Sequence, residues 1–171
     1  MNSTIAAHVD IFMTYIFPIM PAVDGAQLIS DATNLQTLPV PRYALLLALC
    51  AITRIQLRLD QENPIEGDEA TLCLVGTRGM SGVDFLAAAE QVRSQFTLAD
   101  GMSQEAILTS FFLFVSYANI EKYDNAWVYL SQSICMAMLL GYDREPPDVP
   151  LSPKELNMRR KIFWLLFVTE R

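Results

Sequence analysis

Histidine and cysteine are nearly missing from this chain of 171 residues, which holds one histidine, His8, and three cysteines, Cys50, Cys73 and Cys135. Structural zinc takes four ligands, commonly as closely spaced Cys or His pairs, and this set cannot supply them. Three scattered cysteines give no disulfide framework either. Cys50 and Cys135 fall in apolar helical runs, where buried, reduced thiols are expected. Basic charge is also short: 12 Lys and Arg against 19 Asp and Glu leave a net charge of −7. Such a surface repels phosphate, so no direct nucleic acid contact by this chain is expected. The longest uncharged run, Asn125 to Tyr142, includes Asn125, Ser131, Gln132 and Ser133, and Tyr43 to Thr53 is too short to span a bilayer. The N-terminus lacks a basic leader with a small-residue cleavage site. No membrane partner is expected.

Catalytic signatures are missing too. There is no Gly-x-Ser-x-Gly elbow, no Gly-rich dinucleotide turn, no His-Glu-x-x-His pair and no Asp-rich metal motif on a helix. The carboxylates between Asp60 and Gly79 lack the Asp-x-Asp-x-Asp-Gly spacing of a calcium loop, and Gly76-Thr77-Arg78-Gly79 lacks the ending of a phosphate loop. The expectation is a protein that is not an enzyme, with no catalytic, cofactor-binding or metal residue in this chain. The segment near 60–79 reads as an acidic loop.

No alternating strand pattern is present. Helical periodicity takes its place, in a chain that is 52% hydrophobic, a share that requires unusually deep burial or a covering partner. His8 to Ile19 reads as a short amphipathic helix closed by Pro18 and Pro21, with His8 structural or exposed. Asp24 to Pro41 holds at most a turn, around Ala26 to Ile29. Tyr43 to Leu59 is a strong helix, central in its first half and turning toward solvent with Arg54, Gln56 and Arg58. Ser81 caps a helix to Phe96, with Asp84 in its first turn. Ser103 precedes a helix over Gln104 to Asn119. A tight connection then leads into Ala126 to Leu140, which Gly141 ends in a left-handed conformation. Trp127, Met136, Met138 and Met158 read as core residues, and the hydroxyls of Thr109, Ser110, Ser116 and Ser133 as bonded to their own backbone. The fold class is all-α, about six or seven helices packed as antiparallel hairpins.

The last helix has the most complete start signal. Ser152 suits the N-cap, Pro153 the first helical position, and Glu155 can close a capping box. Arg159, Arg160 and Lys161 then precede seven apolar residues, Ile162 to Val168, which cover every face of two turns and call for wrapping by other helices. No cap follows Thr169-Glu170-Arg171. Residues 1–171 are therefore read as the N-terminal part of a larger helical domain. The three cations point about 100° apart around the helix, so they cannot share one solvated face. Arg159, Arg160, Lys161, Glu170 and Arg171 are the candidate regulatory or inter-helix contacts, with Arg159 or Arg160 expected to meet a carboxylate.

Ala126-Trp127-Val128-Tyr129-Leu130, Leu139-Leu140-Gly141-Tyr142, Leu151-Ser152-Pro153-Lys154-Glu155 and Arg159-Arg160-Lys161-Ile162-Phe163-Trp164, closing on Glu170-Arg171, occur in that order. The combination resembles the middle homology region of fungal binuclear zinc-cluster transcription factors. Phe163 stands in place of that pattern's first tryptophan and Glu170 in place of its aspartate. Phe167 to Arg171 is most similar to regulators of starch, maltose and related sugar use. The resemblance implies a nuclear regulatory domain, effector-sensing or inhibitory, whose partners are the remainder of its own domain and a small-molecule inducer or a co-regulator protein. It places zinc only in a separate DNA-binding cluster. The alternative is a helical-repeat interaction scaffold, although no repeat near the 34-residue period is visible.

Overall fold

The computed structural model describes residues 2–60, 79–95, 102–144 and 151–171. Seven α-helices and no strand occur among them: α1 (Asn2–Ile11), α2 (Gly25–Thr33), α3 (Val40–Gln56), α4 (Gly82–Arg93), α5 (Gln104–Asn119), α6 (Tyr123–Leu139) and α7 (Pro153–Glu170). The all-α fold is as expected.

Helix α3 is the one the others surround. Pro39 and Pro41 frame its start, and the Leu- and Ala-rich run that follows has no polar face to turn outward. Every residue from Ala44 to Arg54 is buried. Helices α1, α2, α4 and α5 all pack on it. Helix α6 packs on α5 through the short connection at Ile120–Lys122, and α7 makes its main contact with α6. Packing therefore thins outward from α3 to α7.

Caps set the helix starts. Asp24 accepts from Gln27 N–H at 3.5 Å and opens α2, a full helix where only a turn was expected. Ser81 and Asp84 form a complete capping box on α4, and Ser103 accepts from Ala106 N–H at 3.2 Å on α5. Helix α1 runs into a π-turn, Phe12–Ile16, before Pro18 interrupts the ladder.

Several expectations need correction. Arg54 does not emerge into solvent but is 4% exposed, because Asp60 and His8 come to meet it. Trp127 and Met138 are exposed and not core, and Cys135 is exposed where a buried thiol was expected. Cys50 is buried as expected, and burial pushes its thiol pKa well up. The apolar run of α7 is not wrapped: Met158, Ile162 and Leu166 form its buried stripe, while Trp164 and Val168 face outward. Cys73, most of the 60–79 loop and the prolines at 146, 147 and 150 lie outside the described residues.

Candidate regulatory surface on the last two helices

The surface is built around the turn that leaves α6. Gly141 has φ +71°, and the two N–H groups that close a left-handed helix end are both in place: Gly141 donates to Met138 O at 3.0 Å and Tyr142 to Ala137 O at 2.9 Å. This reversal delivers the Tyr142 ring to α7. The Arg159 guanidinium carbon lies 4.9 Å from that ring's centroid. An arginine over a tyrosine face is held by the ring quadrupole and needs no carboxylate. Arg159 thus meets the turn that leaves α6, with a ring where an acid was expected. Burial raises the Tyr142 phenol above its ordinary pKa, and the nearby Arg159 opposes part of that rise.

The start of α7 is fixed by Ser152, which accepts from Glu155 N–H at 3.2 Å. The Glu155 carboxylate meets the Ser152 hydroxyl at 3.5 Å, so the reciprocal half of the box is made to the side chain. Pro153 occupies the first helical turn. Lys154 pairs with Asp24, which ties α7 to the cap of α2, and this contact holds the Asp24 carboxyl below its usual pKa.

The remaining candidates divide by face. Arg160 is exposed and Lys161 half-buried, and neither has a carboxylate within ion-pair distance among the described residues. The Arg171 guanidinium lies 4.6 Å from the Phe167 centroid, on its own helix. Glu170 stands with Asp143 at the rim of an open cleft of about 150 Å³ between α6 and α7, floored by Ile134, Ala137, Phe163 and Phe167. The exposed apolar residues Trp127, Val128, Met138 and Leu139 lie on α6, and Trp164 and Val168 on α7. Exposed apolar residues on adjoining elements make this a candidate interaction surface.

Two charged networks and one cluster around a tyrosine were not legible in the sequence. His8 is fully buried: its Nδ1–H donates to Thr4 O at 2.6 Å, which leaves Nε2 to accept from Arg54 at 3.4 Å. Arg54 binds Asp60 at 2.6 Å, and the second Asp60 oxygen accepts from Gly82 N–H at 2.6 Å, linking α1, α3 and α4. In the other, Arg42 joins Asp31 at 3.4 Å to Glu105 at 3.6 Å, bridging α2, α3 and α5. A third cluster closes α4 on α6: Tyr129 donates to Glu90 at 2.6 Å, and Arg93 lies over the Tyr129 ring and donates to Ser110 at 2.9 Å. The hydroxyls of Thr109 and Ser110 bond their own backbone, but Ser133 reaches Ile107 O on α5 at 3.0 Å. Among the described residues no group of three His, Cys, Asp or Glu is placed to hold a metal ion, and no helix is long and apolar enough to cross a membrane.

The chain is similar to the probable sucrose utilization protein SUC1 of Candida albicans, with 29% identity over 160 residues, 94% of this chain and 30% of the relative. The chain thus spans less than a third of that relative's length. No protein family and no solved structure matches it. The likeness runs through nearly all of the chain.

Proposed function

We propose that this chain is the N-terminal part of the regulatory domain of a transcription regulator of sugar-utilisation genes. The observation that carries this reading is the extent of the likeness to the sucrose utilization protein, which covers 94% of the chain. The motif series ending Arg159-Arg160-Lys161-Ile162-Phe163-Trp164 supports it independently. The role is regulatory and not catalytic. DNA binding belongs to a zinc cluster elsewhere in the whole protein, which acts in the nucleus. The exposed apolar residues of α6, Met138 and Leu139 among them, are covered by the remainder of the regulatory domain, and a small-molecule inducer or a co-regulator acts on that junction.

Deleting the parent gene and measuring transcripts on glucose, maltose and sucrose tests the reading. Sugar-dependent induction of uptake and hydrolysis genes is lost on this account, and the tagged protein is nuclear. Unchanged induction overturns it. The exposed apolar residues of α6 and α7 also favour the second reading, a helical interaction scaffold. That reading is identified by intact transcription together with a stable protein complex that disappears in the deletion strain.

A further inference from the structure

One stripe of α7 is not used by the packing described above. Arg160, Trp164 and Val168 follow one another at four-residue spacing, so they lie on a single outward face. Trp164 is 59% and Val168 71% exposed. Beside them a groove of about 360 Å³ runs between α7 and the segment after α1, lined by Arg160, Lys161, Trp164 and Leu165 on one side and Pro21 and Ala22 on the other.

Charge singles this groove out. Helix α7 carries Lys154, Arg159, Arg160 and Lys161 against Glu155 and Glu170, four minus two, or +2, within a chain of −7. Two of those cations are engaged, Lys154 by Asp24 and Arg159 by the Tyr142 ring. Arg160 and Lys161 are the two left without a carboxylate among the described residues, and both line the groove. The Trp164 ring is held edge-on by Phe163 at 5.7 Å and Phe167 at 5.5 Å, so its orientation is set before anything binds.

We propose that this groove docks an acidic amphipathic segment of a partner protein, its carboxylates on Arg160 and Lys161 and its apolar side chains on Trp164 and Val168. The chemistry disfavours other occupants. Two cations on a chain of −7 are too few to hold a phosphate backbone. The proposal stands on the geometry of α7 and does not depend on the regulator reading, so each fails separately.

The test uses the 171-residue chain and a fluorescein-labelled peptide that alternates Asp with Phe and Leu, read by anisotropy. The peptide binds, while versions with Ser for Phe and Leu, or with Lys for Asp, do not. Arg160→Glu combined with Lys161→Glu weakens binding by about tenfold or more, and salt weakens it in the wild type. Trp164→Ala weakens binding at any salt. All three side chains are exposed or half-buried, so helix content by circular dichroism is unchanged, and Lys122→Glu, at an exposed residue that does not line the groove, leaves affinity intact. Equal binding by the double variant overturns the proposal. So does tighter binding of a DNA duplex, or a self-association seen by sedimentation that Trp164→Ala abolishes.

Discussion

His8 is where burial and charge conflict most sharply. Its ring is fully buried, edge-on to Phe85, and its only free nitrogen faces the Arg54 guanidinium. Burial is the main cause that lowers its pKa below the ordinary 6.5; the Thr4 carbonyl opposes this, Arg54 adds to it, and Asp60 opposes it. The folded state therefore resists a proton that the unfolded chain accepts. The stabilisation is complete above the unfolded value and is lost as pH falls through it toward the folded one. Urea midpoints should drop between about pH 7.5 and about pH 5.5, and His8→Gln should flatten that drop while lowering stability at the higher pH. An unchanged pH slope in the variant contradicts this account of His8. No sequence signal pointed to it, because Arg54 and Asp60 are distant along the chain and only the fold joins them.

Backbone conformation gives a second residue-scale test. Gly141 is at φ +71° with nothing near the site of a Cβ, so steric space is free and only the left-handed backbone matters. Gly141→Ala should cost about 1 kcal/mol and Gly141→Val more. Glu121, at φ +61°, occupies the same kind of position after α5. Glu121→Gly should therefore stabilise by a few tenths to about 1 kcal/mol, the gain limited by the greater freedom glycine has when unfolded. Melting curves of the three variants check both signs.

At the scale of elements, α3 and α4 are in close contact where Gly82 begins α4. A Cβ there would lie 2.7 Å from Ile55 Cγ1 and 3.1 Å from Asp60 Oδ2. Alanine is the better helix former by about 1 kcal/mol at most, while overpacking a closed contact costs about 1–3 kcal/mol. Gly82→Ala should accordingly destabilise, against the propensity rule, and a higher denaturation midpoint would show that the two helices part without strain. The helices whose faces are filled by their own sequence were legible before the structure: α3 from its uninterrupted apolar run, α5 from its Ser cap and aromatic stripe, α6 from Gly141. Helix α7 was legible in its start and not in its surroundings. Apolar residues on every side signal a need for cover, but a helix that contacts mainly α6 leaves Trp164 and Val168 uncovered. The same limit applies to Trp127, since periodicity says which residues share a face and not which face a neighbour takes.

For the whole molecule, charge and exposed surface lead to separate expectations. A chain of −7 whose cations on α7 number two unpaired should bind duplex DNA weakly and with strong salt dependence. Sequence-specific binding near the nanomolar range in a titration would contradict that. The central claim is that the exposed apolar residues of α6 serve regulation and are not merely exposed core. Met138 and Leu139 are 56% and 66% exposed, so replacing them by Ser should change the stability of the chain by no more than about 0.5 kcal/mol each. The decisive measurement places Met138→Ser and Leu139→Ser together in the intact protein and follows sucrose- and maltose-induced transcripts. The account predicts a normally abundant protein and lost induction; wild-type induction with the face made polar would contradict it.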